Sequence, residues 1–276
     1  MIPRSLVIIA GKGSYPLMLA ESAREQGVGR LCAVAFEGET DRSIVGLVDD
    51  VKWMRVGELQ AFLDAHREYG IADAVMAGQI TPSNLFKVRM DGAMRSLIGG
   101  LSKRNADSIF GAICDALKEQ GVSLHPAHRF MEKHLSEVGV LTQRSPNDTE
   151  REDLIYGLEI AHVSSAHAIG QTVVVKEGTV LAVEAFEGTD AAILRGGKLS
   201  EGGGVVSKVA QQDHDMRWDI PVIGERTLKS MKKAGVTALG VEEGKAILLD
   251  LELLATLANK WNIAIEVFPV GGEDRG

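Results

Sequence analysis

At 276 residues the chain is longer than a typical single domain, so two domains of ordinary size are expected. Its 45% hydrophobic and 25% charged composition is that of a globular protein and excludes a long disordered tail. A formal net charge of -8 repels polyanions over most of the surface, which excludes general nucleic-acid binding and leaves an anionic ligand to a local basic site.

The opening run Leu6 to Ala10 reads as a parallel strand buried on both faces, and it is too short for a signal peptide. No stretch approaches the roughly 18 apolar residues of a membrane span, so a cytoplasmic location is expected. Gly11, Lys12 and Gly13 follow, ahead of a helix, where glycines let backbone amides approach a phosphate and the helix dipole favours negative charge. A tight turn without a ligand is the equal alternative. Glu37 stands after the second strand, Leu31 to Phe36, where a dinucleotide fold keeps its ribose acid, but Pro16 replaces the third glycine of that fingerprint. Leu59, Phe62, Leu63 and His66 have helical spacing, and Ala74 to Ala77 is a third buried strand. The alternation predicts a Rossmann-like, doubly wound parallel sheet with flanking helices.

The segment from Phe86 to Arg104 concentrates Lys87, Arg89, Arg95, Lys103 and Arg104 against Asp91, with Met94, Leu97, Ile98 and Leu101 on one helical face. Such a basic amphipathic helix suits an anionic lipid surface or an acyl-chain groove, and equally a core-packed helix with a solvated basic side. Ile109, Ile113 and Leu117 mark another helix, closed by Gly121. Cys32 and Cys114 both fall in apolar runs and read as core residues of a reducing compartment.

Between about 122 and 148 the pattern is interrupted by Pro126, Pro146 and a polar run, which places the boundary near 133: domains 1–133 and 134–276. The second half opens on Thr149 and Glu152, spaced as a capping box. Val173 to Val175, Val180 to Val183 and Ala246 to Leu249 are strand-like; Leu254, Leu257, Ala258 and Trp261 form a late helix, and Ile263 to Val267 a last strand. The expectation is an α/β domain with a mixed sheet.

Glu184, Glu187 and Asp190, with Gly188 and Thr189 between the last two, place carboxylates where a strand gives way to a helix, a corner that can hold a metal and a phosphate together. The blander reading is a helix N-cap with solvated acids. Farther on, Asp213, Asp215, Arg217 and Asp219 alternate with Met216, Trp218 and Ile220. In an extended chain the first group projects from one face and the second from the other. Alternate positions lie about 6.6 Å apart, close enough for neighbouring carboxylates to share Mg²⁺ directly or through water, with Arg217 partly neutralising them or gripping a phosphate. A polar strand face turned to solvent is the even competitor. The histidines have no zinc spacing, and neither a nucleophile elbow nor an activated cysteine is present.

Taken in order, IAGKGSYP, EAFEGTD with a following RGG, and KVAQQDHDMRWDIPVIGERT resemble the LpxI-type UDP-2,3-diacylglucosamine hydrolases (pyrophosphatases). The most specific part is the run of Asp215, Arg217, Asp219, Pro221, Gly224 and Thr227; His214 departs from the glutamine expected before Asp215 and receives no role. The resemblance implies lipid A biosynthesis in Gram-negative bacteria, with water splitting UDP-2,3-diacylglucosamine into UMP and 2,3-diacylglucosamine 1-phosphate (lipid X) in the presence of Mg²⁺. It implies Asp215 and Asp219 as the metal-binding or water-activating pair, Asp213 as a third ligand and Arg217 as the neutralising cation. Gly11, Lys12, Gly13, Glu187, Gly188, Thr189, Asp190 and Thr227 would contact substrate. Transient contact with the cytoplasmic face of the inner membrane and a homodimer are further expectations. The competing functions are an NAD-dependent oxidoreductase, resting on the first turn and Glu37, and a non-enzymatic lipid carrier.

Overall fold

Leu6 to Ala10 are all buried in the middle of the first sheet, because β1 (Ser5–Ala10) is hydrogen-bonded on both edges and covered on both faces. The computed structural model describes residues 1–80, 89–104, 106–126, 128–210, 217 and 220–270. It divides into two units, Met1–Met131 and the chain from Glu132 onward, with Arg217 grouping with the first.

In the first unit β1 is followed by α1 (Tyr15–Glu25), β2 (Arg30–Phe36), β3 (Asp50–Met54), α2 (Leu59–Tyr69), β4 (Asp73–Ala77), α3 (Gly92–Gly99), α4 (Ala106–Glu119) and β5 (Ser123–His125). The sheet order is β3-β2-β1-β4-β5, parallel throughout, so the chain reverses its direction of travel between β1 and β4. Its core joins Val7, Val34, Phe62, Met76 and Leu117, and it buries both cysteines. Within this unit two strands, β3 and β5, fall where none was expected. β3 carries Asp50 and Lys52 at an edge, and β5 is three residues long inside the proline-bearing stretch assigned to the domain junction.

In the second unit come β6 (Gly139–Val140), α5 (Asp148–Ala166), β7 (Thr172–Lys176), β8 (Thr179–Val183), α6 (Thr189–Ser200) and β9 (Val205–Lys208). β10 (Val222–Ile223), α7 (Glu225–Ala234), β11 (Ala238–Glu242), β12 (Ile247–Leu248), α8 (Leu251–Lys260) and β13 (Ala264–Phe268) complete it. The main sheet, ordered β6-β13-β11-β9-β7-β8, is mixed: β9, β11 and β13 run parallel, while β6, β7 and β8 pair antiparallel. The strand expected over Ala246 to Leu249 pairs instead with β10 in a separate two-stranded sheet. α5 lies close on β9 because Gly157 has no side chain; an added Cβ would stand 2.4 Å from Ser207 Oγ. The β7–β8 turn has positive φ at Glu177 and Gly178, and the buried Asp153 carboxylate accepts both of their amides at 2.7 Å.

The cap of α5 differs from the one expected. The helix starts at Asp148, so the capping box is Asn147 with Glu150 rather than Thr149 with Glu152: each side chain accepts the other residue's amide at 2.9 Å. Arg144 selects this register by donating to Glu150 at 2.6 Å. Burial pushes the Glu150 carboxyl up, but Arg144, Thr237 and the Asn147 amide together hold it below its ordinary 4.5. A carboxylate depressed in the folded state stabilises above its unfolded pKa and loses that contribution as pH falls through its folded pKa. Glu150→Gln should therefore lower stability by about 1–2 kcal/mol at neutral pH. The difference from the parent should shrink as pH falls below 4.5 in urea titrations; a constant difference would remove the ion pair as its cause.

Candidate functional site

Where β8 ends at Val183, the chain turns through Glu184 to Gly188 into α6, and the side chains of this turn meet the end of β9. Lys208 closes β9 and is 8% exposed, an ammonium drawn into the protein by the buried residues Val205, Val206 and Val209 on either side of it. Its Nζ donates to Thr189 Oγ1 at 2.9 Å, and the Thr189 hydroxyl donates to Glu184 Oε1 at 3.0 Å. Glu184 is 9% exposed, and its second carboxylate oxygen, Oε2, is buried with no hydrogen-bond partner.

Two helices begin beside this group. Gly188 caps α6 and Gly224 caps α7, and neither supplies a side-chain oxygen to the first turn. Gly188 adopts φ 82°, which glycine takes without strain. Asp190 ties the two first turns together, accepting from Arg226 Nε at 2.5 Å and from Ser230 Oγ at 3.0 Å. At the far ends Gly197 meets Ala234, so α6 and α7 run side by side in the same direction and present both N-termini together. Thr227, buried in the first turn of α7, donates its amide to the Gly224 carbonyl at 3.0 Å. Glu187 is held by Arg195 at 2.6 Å, and that hydrogen bond keeps its carboxyl below the ordinary range. Two helix N-termini and a buried lysine supply this end of the second unit with donors for an anion, among the ion-paired carboxylates of Glu187 and Asp190.

The expected site residues thus fall into separate groups. Gly188, Thr189, Asp190 and Thr227 share the α6–α7 end, with Glu187 adjoining. Asp213, Asp215 and Asp219 lie outside the described residues; Arg217, described, is half-buried. Lys208 was absent from the expected set although it lies five residues before Asp213. The signal for it was a lysine within the apolar run Val205 to Ala210.

In the first unit the loop after β1 is shaped by close chain crossing. Gly11 donates to Ala77 O at 2.7 Å, Lys12 donates to Gln79 O at 2.7 Å, and Gln79 returns a bond to Lys12 O. A Cβ on Gly11 would stand 2.8 Å from the Gln79 carbonyl oxygen, and one on Gly78 2.7 Å from that of Lys12. The glycine at position 11 is therefore required by the approach of the loop after β4, and two amides assigned to a phosphate are engaged there. Gly13, at φ 98° with open space where a Cβ would be, faces no such neighbour.

α3 turns Met94, Leu97 and Ile98 onto the first unit's core, so its apolar face is occupied, while Arg89, Arg95, Lys103 and Arg104 are exposed. Lys87 lies outside the described residues. Among the described residues, no helix is long and apolar enough to cross a membrane, and no cluster of three or more His, Cys, Asp or Glu could hold a metal ion.

Comparison with known proteins places both halves in one family. The model of the LpxI N-terminal domain matches residues 5–134, and that of the LpxI C-terminal domain matches residues 137–266. The chain is 28% identical over 285 residues to the UDP-2,3-diacylglucosamine pyrophosphatase LpxI of Caulobacter vibrioides, covering 99% of each. Among solved structures it is similar to CobK precorrin-6A reductase, at 11% identity and TM-score 0.33, over 96% of this chain and 87% of that one. It is also similar to the biotin carboxylase domain of the Hydrogenobacter thermophilus 2-oxoglutarate carboxylase, at 12% identity and TM-score 0.28, over 65% of this chain and 36% of that one. Likenesses this slight carry no argument about the fold or the site.

Proposed function

Since the chain belongs to the LpxI family through both of its domains, we infer that it is a UDP-2,3-diacylglucosamine pyrophosphatase acting in lipid A biosynthesis. Family membership over nearly the whole chain carries this reading, and the paired N-termini of α6 and α7 beside the buried Lys208 support it. A diphosphate ester needs its charge neutralised and a water positioned, not a protein nucleophile. Water adds to one phosphorus, the bridging P–O bond breaks, and the products are UMP and 2,3-diacylglucosamine 1-phosphate.

Asp213, Asp215 and Asp219 would hold Mg²⁺, whose preference for hard carboxylate oxygens fits this donor set. When bound, the ion would supply Lewis-acid stabilisation of charge developing on the diphosphate. The chain's own groups orient the substrate: the first turns of α6 and α7 receive phosphate oxygens, Arg217 adds a guanidinium, and one carboxylate of the Asp215 and Asp219 pair takes the proton of the attacking water. Exposed Arg89, Arg95, Lys103 and Arg104 support transient attraction to the anionic inner-membrane surface of a Gram-negative cell, where the lipid substrate resides.

Purified protein given UDP-2,3-diacylglucosamine in anionic vesicles with Mg²⁺ should release UMP and float with the vesicles. Chelation by EDTA should suppress release by about 100-fold or more, and added Mg²⁺ should restore it. Absence of UMP with Mg²⁺ present would overturn the hydrolase reading. Activity indifferent to chelation would remove the metal, and failure to float the membrane contact.

A further inference from the structure

We propose that Lys208 is a substrate-contacting residue that binds the diphosphate, held in place by Thr189 and Glu184 as positioning residues. The proposal deepens the pyrophosphatase reading and rests on it for the identity of the ligand. The ligand class itself, a phosphate ester that also carries a hydroxyl, comes from the side chains.

A lysine that packs valines into a core can usually extend its stem and keep the ammonium in water. Lys208 does not: it is 8% exposed and, among the described residues, gives its one hydrogen bond to a neutral hydroxyl. An ammonium has three donors, so this contact leaves two to be met by something else. Among the described residues, Lys208 is linked to a carboxylate, that of Glu184, through the Thr189 hydroxyl. A threonine hydroxyl has one proton to give, and here it goes to Glu184, which fixes the oxygen lone pairs toward Lys208 and so aims the ammonium.

Glu184 supplies an observation independent of the helix termini. A carboxylate oxygen buried without a donor is unfavourable, and folded proteins rarely leave one. Glu184 Oε2 is such an atom, 9% exposure for the residue notwithstanding, and it lies where α6 begins behind an N-cap glycine that offers its first-turn amides no side-chain acceptor. Cationic donors, open helix amides and an unmatched acceptor at one place describe the complement of a phosphate bearing a nearby hydroxyl. The phosphate oxygens accept from Lys208 and from the first turn of α6, and the ligand hydroxyl donates to Glu184 Oε2. A purely structural lysine would instead be matched by an acid in direct contact.

The test uses UDP as the probe in calorimetric titration of the full chain, alongside UMP release from UDP-2,3-diacylglucosamine and thermal melting. Lys208→Met keeps the length and apolar packing of the stem and should bind UDP at least 10-fold more weakly and lower kcat/KM by about 100-fold, with the melting temperature maintained or raised. Thr189→Val should weaken UDP binding several-fold and Glu184→Gln should follow it, whereas Thr189→Ser, which returns the hydroxyl, should recover most of what Thr189→Val loses. Folded Lys208→Met with the parent's UDP affinity and kcat/KM would overturn the proposal. Should Lys208→Met fail to fold, the Thr189 pair decides: equal affinity of the valine and serine variants would overturn it. Lys208-dependent UDP binding by a parent chain that releases no UMP would uphold the contact and sink the pyrophosphatase reading, so the two failures are separable.

Discussion

Asp219→Ala and Asp215→Ala should each lower UMP release by about 10³-fold or more, with the melting temperature and UDP affinity little changed. The magnitude follows from chemistry: at about 1.4 kcal/mol per tenfold, a 10³-fold loss corresponds to about 4 kcal/mol of transition-state stabilisation, within the range for removing a group that positions a water or neutralises developing charge. The direction follows from placement in sequence. Asp215, Arg217 and Asp219 alternate with apolar residues, so in an extended chain two acids flank one guanidinium on a single face. Asp213→Ala should cost less, since it stands four residues from Arg217 where Asp215 and Asp219 stand two. Wild-type turnover in both Asp215→Ala and Asp219→Ala would move catalysis away from this run. A loss confined to KM would convert the acids from catalytic to binding groups.

Buried parallel strands were legible because nothing in them competes with the apolar signal: β1, β2 and β4 sit between other strands, so every position after the first residue of each, Ser5, Arg30 and Asp73, is apolar. The missed strands show why the rule fails elsewhere. β3 is an edge strand whose Asp50 and Lys52 blur the hydrophobic pattern, and β9 and β11 contain Ser207, Lys208, Gly240 and Glu242 at buried positions. Ser207 and Glu242 are buried because specific partners satisfy them: Ser207 donates to Leu154 O at 2.7 Å, and Glu242 accepts at 2.8 Å from His162. Pattern cannot reveal partners that lie 53 and 80 residues away in sequence. The same limit explains the site. Thr189 and Asp190 were legible as the start of a helix, but the reason Thr189 matters, a lysine 19 residues later, exists only after β7, β8 and β9 have formed one sheet. Gly11 shows the converse: a glycine needed for phosphate approach and one needed for chain crossing look identical in sequence, and the Gln79 carbonyl is a second reason for glycine there that sequence does not reveal.

Gly197→Ala should destabilise the second unit by about 2–4 kcal/mol and, unlike an ordinary surface change in a helix, should also weaken UDP binding. Alanine inside a helix normally gains up to about 1 kcal/mol over glycine. Here a Cβ would stand 2.3 Å from the Ala234 carbonyl oxygen and 2.4 Å from the Ala234 Cβ, both fixed at the end of α7, so backbone rather than a flexible side chain must move. The neighbouring Gly196 is closed in the same way by Val174 of β7, at 2.6 Å. α6 is thereby pressed against both the sheet and α7, and a wedge at its last turn alters the angle at which its first turn meets Arg226 and Ser230. The same two first turns present the uncapped amides, so packing at Gly197 and anion binding at Gly188 and Gly224 are linked through one helix pair. Gly111 in α4 provides the internal control, since nothing lies within 4 Å of its Cβ position. Gly111→Ala should therefore stabilise by about 0.5–1 kcal/mol. Melting temperatures should thus move in opposite directions, down by roughly 5–10 °C for Gly197→Ala and slightly up for Gly111→Ala. Equal and small shifts would mean that α6 and α7 can separate freely, and the shared N-terminal end would then not be a preorganised anion site.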